Sequence, residues 1–210
     1  MKRETLYVCK FEENILINEK ANDYKKYCDF ENRPNNDKPY KKFYDNRMFR
    51  YSLKCKIQDK GESITVILMN PSLADEYGLD STLKNVKDFL REQKIFSEFE
   101  VLNIFPIRTP NSGNVAKSMK KCSNIQKMND EYIKTTLLKS KNVLVAWGSK
   151  YHNQAKWVLK FLRDNDKDKD CVFVYSVNKD GSPKHFAPQA YNRVKKNAEN
   201  INKKLKLQKY

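Results

Sequence analysis

The chain has 210 residues, room for one sizeable core and too little for two ordinary domains. Its 42 Lys and Arg against 26 Asp and Glu leave a formal charge of +16, a field that attracts polyanions with salt-dependent affinity. No run approaches the roughly 20 consecutive apolar residues of a membrane helix, and the opening segment lacks a secretory apolar stretch, so a cytoplasmic location is expected.

Nucleic acid is therefore the first partner to consider, although a Lys- and Asn-rich coding bias would give the same charge without one. The five cysteines are odd in number, widely separated and free of CxxC pairs, which argues against a disulfide framework and a zinc site. No metal is expected. With 5 Gly in the chain and no Gly-rich phosphate loop, no nucleotide cofactor is expected either.

Residues 1–46 are polar and without sustained period, and read as an N-terminal extension packed on the core. Residues 47–210 read as a single α/β domain. Met48 to Ile57 alternates apolar with polar residues, and the turn residues Asp59 to Glu62 follow, so the pattern predicts a strand entering a hairpin. Ile64 to Met69 is a continuous apolar run, as in a strand covered on both faces, and it stops at Asn70-Pro71-Ser72. Asp80 or Ser81 can cap a helix presenting Leu83, Val86, Phe89 and Leu90.

Phe99 to Ile104 predicts a second inner strand, and Asn124 to Leu138 a helix. Val143 to Trp147 is a third strand closed by Gly148, and Ala155, Val158, Leu159 and Leu162 then fall at helical spacing. Cys171 to Tyr175 makes a fourth strand. Asn192 to Lys209 reads as a basic amphipathic helix, either a solvated helix with a docked stripe or a DNA-tracking surface.

Inner strands alternating with helices predict an α/β fold: a central, mostly parallel sheet flanked by helices on both faces. Ligands of such sheets sit beyond the carboxyl ends of the strands, so residues 70–80, 103–111, 148–152 and 181–189 should converge.

These segments hold Met69-Asn70-Pro71-Ser72-Leu73-Ala74-Asp75, Asp80-Ser81-Thr82, Asn103-Ile104-Phe105, Ala146-Trp147-Gly148 and Pro183-Lys184-His185. In this order they resemble the family catalogued as domain of unknown function 1643, over about residues 48–190. The loop order is also similar, more distantly, to that of the uracil-DNA glycosylase superfamily. Asn70-Pro71 stands at its water-activating loop and Leu102-Asn103 at its Leu-Asn strand end. Trp147-Gly148 matches its Trp-Gly strand end, and the segment from His185 to Tyr191 its late His loop.

That resemblance implies a DNA glycosylase with a three-layer sandwich fold. Asn70 would hold a water, with Asp75 or Asp80 adding a carboxylate, and His185 would bind the departing base. Asn103 would read the edge of a flipped base, which Phe105 or Tyr77 would stack on. The small Ser72 would leave room for a bulkier modified pyrimidine, such as a hydroxymethylated or glucosylated base of phage DNA, making excision a defence activity. Arg108, Lys184, Arg193 and Lys150 would contact the DNA backbone, and the protein would act as a monomer.

Simpler roles compete. Asn70 can merely terminate a strand, Asp75 and Asp80 can serve helix starts, His185 can be an exposed turn residue, and Trp147 reads as core. A noncatalytic base-sensing module, or a hydrolase of free nucleosides or nucleotides, fits the same residues.

Overall fold

The computed structural model describes residues 7–11 (backbone alone), 49–72, 74, 79–109, 113, 115–120, 123–166, 171–200, 203 and 205–210. Seven strands form one sheet: β1 (Tyr7–Phe11), β2 (Arg50–Lys56), β3 (Glu62–Leu68), β4 (Phe96–Asn103), β5 (Val143–Val145), β6 (Val172–Val174) and β7 (Gln208–Lys209). Among the described residues five helices accompany them: α1 (Ser81–Gln93), α2 (Val115–Lys120), α3 (Ser123–Lys139), α4 (His152–Asp164) and α5 (Pro188–Asn200).

The spatial order is β1-β2-β4-β3-β5-β6-β7. Neighbours among β4, β3, β5 and β6 are parallel, whereas β1–β2, β2–β4 and β6–β7 are antiparallel. The fold is thus mixed α/β, a four-stranded parallel centre between antiparallel margins. Side chains of β3 alternate between two cores, as a strand period of two requires. Ile67 joins Ile125, Ile133 and Leu137 of α3 and Ala155, Val158 and Leu162 of α4 on one face. Val66 and Leu68 join Leu83, Val86, Phe89 and Leu90 of α1 and Tyr191 of α5 on the other. Helices therefore cover both faces.

Asp80 caps α1: its Oδ1 accepts from the Leu83 N–H at 2.9 Å, and the apolar stripe behind it is buried. Along α3, Ile125, Asn129, Ile133 and Leu137 are buried at intervals of four, one residue row down the helix face.

Two expectations are corrected. The short β2–β3 connection is not a hairpin, because β4 lies between its strands and pairs with both. β3 is apolar on both faces and has strand neighbours along both edges, so β4 fills the place next to it. The connection crosses the start of β4, with Ile57 N and Gln58 N both donating to Ser97 O at 2.7 and 3.1 Å. Gly61, at φ +142°, lies so close to β4 that a Cβ would stand 2.6 Å from Ile95 O.

The basic C-terminal helix spans Pro188 to Asn200, not Asn192 to Lys209. Beyond it, Leu205 and Leu207 pack on the α1-side core at the two-residue spacing of extended chain, and β7 pairs with β6. At the N-terminus, residues 7–11 of the polar extension form an edge strand on β2.

Candidate functional site

The chain leaves β3 through α1 to reach β4 on one side, and leaves β5 through α4 to reach β6 on the other. The strand order thus reverses between β3 and β5, and the region beyond their carboxyl ends is where α/β sheets bind ligands. The expected loops meet there. Phe105 N donates to Met69 O and Thr109 N to Pro71 O, both at 2.9 Å, while Gly148 N donates to Pro183 O at 3.0 Å.

Asn70, half-buried beyond β3, stitches two of these loops. Its Nδ2 donates to Thr109 O at 2.8 Å and to Pro71 O at 2.9 Å. Because carbonyls only accept, the nitrogen must face them, and Oδ1 is the remaining acceptor of the side chain. Ser72 is half-buried, and its carbonyl faces Arg108 Nε at 3.5 Å.

Arg108, expected as a phosphate contact at the mouth, is instead 2% exposed and directs Nη2 to Ala74 O at 3.4 Å. A guanidinium enclosed in this way fixes a loop and is not presented to a DNA backbone. Arg50, the first residue of β2, is also buried and reaches the same carbonyl through Nη1 at 2.8 Å, while its Nη2 donates to Asn103 Oδ1 at 3.0 Å.

Asn103 ends β4 and is fully buried. Its backbone carbonyl accepts from Asn129 Nδ2 at 2.9 Å, and its own Nδ2 has no hydrogen-bond partner among the described residues.

His185 stands in the loop beside the end of β5. Its Nδ1 accepts from the Ala187 N–H at 3.0 Å, so in the neutral ring the proton is on Nε2. Burial holds its pKa below the ordinary 6.5, with the nearby Asp80 carboxylate opposing that shift. The imidazole is a neutral donor at neutral pH. An aromatic nest sets its position: Tyr175 OH donates to His185 O at 2.8 Å, and the Tyr175 ring lies 4.1 Å from Phe186. Asn85 of α1 binds Phe186 O at 3.0 Å. Gly148, at φ +81°, brings the β5 end against this loop, where a Cβ would lie 3.3 Å from the His185 Cβ.

Trp147 is buried, and its Nε1 donates to His152 Nδ1 at 3.2 Å. Phe105 is buried against Tyr151, edge-on with centroids 5.2 Å apart. Lys150 and Arg193 are exposed and Lys184 half-buried, so these three can meet solvent-borne phosphates. Asp75 and Tyr77 lie outside the described residues.

Sequence reasoning missed Arg50, Asn129 and Tyr151. Arg50 sat in an alternating strand pattern as an ordinary outward position. A separate polar groove of about 340 Å³, lined by Lys54, Thr65, Glu100, Tyr132, Thr136 and Ser140 among others, lies toward the amino ends of the parallel strands and holds none of the motif residues. Among the described residues no group of three or more His, Cys, Asp or Glu side chains could hold a metal ion, and no helix is long and apolar enough to cross a membrane.

The fold defines a mixed α/β protein that gathers carboxamides, buried arginines and a neutral histidine near its strand-order reversal. The chain belongs to the family described as Protein of unknown function (DUF1643), which matches residues 50–186, from β2 to the His185 loop. Neither a curated protein nor a solved structure matches it.

Proposed function

We propose that this chain is a DNA glycosylase-like hydrolase that takes a flipped, modified pyrimidine beyond the carboxyl ends of β3 and β5 and hydrolyses its glycosidic bond, leaving an abasic site. The observation that carries the reading is His185, a neutral imidazole whose Nδ1 is tied to Ala187 and whose Nε2–H is therefore a fixed donor. Breaking an N-glycosidic bond builds positive charge on the sugar and negative charge on the departing base. A fixed neutral donor stabilises the second charge, and Asp80, near enough to act on the titration of His185, adds negative potential for the first.

Asn70, with both N–H groups turned to carbonyls, offers Oδ1 to the attacking water, and Asp75 supplies the carboxylate that deprotonates it. Phe105 and Tyr77 flank the base, and Ser72 leaves room for a hydroxymethyl or glucosyl substituent of the kind found in phage DNA. Lys150, Lys184 and Arg193 hold the strand.

One observation favours a second reading. Asp80 is engaged as a helix cap and Asn70 as a loop bridge, contacts that would equally build a rigid base-sensing pocket without hydrolysis.

The test incubates the protein with end-labelled oligonucleotides carrying uracil, 5-hydroxymethyluracil, 5-hydroxymethylcytosine or its glucosylated form, followed by alkali. Strand scission is expected at one modified base, reduced about 100-fold or more in Asn70→Ala and Asp75→Ala. Asp80→Asn retains the cap and is expected to slow cleavage without unfolding α1. Intact strands across the panel, with base-dependent binding, would replace the hydrolase by the sensing module.

A further inference from the structure

On the face of the sheet that carries α3 and α4, the apolar core stops partway down the strands. Leu102 of β4 and Ile67 of β3 are buried in it side by side. Two residues earlier on that face stand Glu100 and Thr65, again paired in register, with Lys54 of β2 opposite Glu100. Two earlier still are Glu98 and Ser63, also paired. The opposite face of the same strands stays apolar, with Leu53, Val66, Val101 and Phe99 buried. Inner strands of a sheet with helices on both faces are expected to be apolar on both, and at these positions they are not.

This polar patch is the floor of the groove of about 340 Å³, and the last two turns of α3 form its wall. The groups hold one another in place. Ser140 Oγ donates to Thr136 O at 2.8 Å, so in its 2.6 Å contact with Thr65 Oγ1 the threonine is the donor. Tyr132 OH donates to Glu100 Oε1 at 3.1 Å, and Lys54 Nζ stands 3.7 Å from Glu100 Oε2. Glu98 and Lys139, also on the lining, are exposed.

We infer that this groove is a binding site for a neutral saccharide, separate from the region beyond the carboxyl ends of β3 and β5. Its lining sets Lys54 and Lys139 against Glu98 and Glu100, a balance of charge within a chain of +16. An anion would meet two carboxylates and a cation two ammonium groups, the kind of mismatch that rejects a wrong partner. A sugar hydroxyl suits both, because it is one donor with two acceptor sites and no charge. It gives its proton to a carboxylate and accepts one from a lysine, and hydrogen bonds to charged groups are the stronger kind. The volume lies at the lower end of the roughly 300–1,000 Å³ of small-molecule pockets, which are mostly apolar. Hydroxyl groups on floor and wall alike select a polyol instead. The assignment stands on the groove alone and does not rest on the glycosylase reading.

The test titrates the isotope-labelled full-length protein with methyl glucoside, galactose, mannose and ribose, and with inorganic phosphate and glycine as anionic and zwitterionic probes, reading residue-resolved NMR shifts. At least one sugar is expected to give saturable shifts at Thr65, Glu100 and Thr136 and none at Asn70 or His185. Glu98→Ala and Lys139→Ala, at exposed positions, should each weaken that binding about tenfold while the rest of the spectrum, and hence the fold, is unchanged. An oligonucleotide carrying glucosylated 5-hydroxymethylcytosine presents the same ring on DNA. Groove shifts from that strand alone would support the site and make its sugar one borne by nucleic acid.

Absence of groove shifts with every free sugar and with the glucosylated strand overturns the site. Phosphate or glycine binding there more tightly than the sugars overturns the ligand class. Sugar affinity untouched in both variants overturns the recognition by paired charges. None of these outcomes bears on strand scission, which tests the glycosylase reading separately.

Discussion

Protonating His185 would turn its Nδ1 from an acceptor into a donor facing the Ala187 N–H, and the loop contact would be lost. Because burial lowers its pKa below 6.5, the unfolded chain takes up the proton first as the solution is acidified. The contribution to stability is therefore complete above about pH 6.5 and declines below it until the folded pKa is passed. The melting temperature of the wild type should fall more steeply between about pH 6.5 and 5 than that of His185→Gln. Parallel curves would remove the buried imidazole from the account. Asp130, whose carboxyl is pushed up by burial, acts in the opposite sense at lower pH and is common to both proteins.

At this scale the sequence was readable where the interaction is local. Asp80 could be named as a cap because its partner, Leu83, is three positions away. Asn70 and Asn103 could be placed at strand ends, yet the groups that hold them come from 39 and 53 positions away. No local pattern announces such partners. Arg108 shows the same gap, since a cation in a polar loop reads as surface until the fold encloses it.

Among the elements, the connection between β2 and β3 is the one under most constraint. An alanine at Gly61 would need φ near +142° and would press on Ile95 O at 2.6 Å and Ser97 N at 2.7 Å, backbone atoms that cannot step aside. Gly61→Ala is expected to destabilise the protein by about 2–4 kcal/mol in urea unfolding. Ser97→Ala, losing a hydroxyl bond to Gly61 O at 2.9 Å, should cost about 1 kcal/mol. An unchanged midpoint in Gly61→Ala would mean that the crossover is not seated on β4.

The inner strands and the helices α1, α3 and α4 were legible because their apolar period is intrinsic to each segment. The hairpin was misread because a short polar connection between two strands looks the same whether or not a third strand enters between them. The C-terminal segment was misread because Ile201 and Leu205 suit a helical row, whereas Leu205 and Leu207 suit extended chain, and the open edge of β6 decided for the latter.

For the molecule as a whole, the charge of +16 has to appear as salt dependence if DNA is the partner. Each phosphate contact adds about −0.9 to the slope of log affinity against log salt. Lys150→Ala and Arg193→Ala, at exposed positions, should each flatten the slope by about 1 while leaving base preference unaltered. Salt-independent turnover of free nucleosides would instead make the charge incidental and move the substrate to small molecules.

The segment matched by the family, residues 50–186, contains β2 to β6, and the two strands that finish the sheet come from outside it. β1 covers the free edge of β2, and β7 that of β6. Bare edges invite pairing with other chains, and the two edges of the matched stretch are covered by neighbouring sequence. The motif loops and the strands that finish the sheet are thus encoded in different parts of this polypeptide, and one can be altered without rewriting the other.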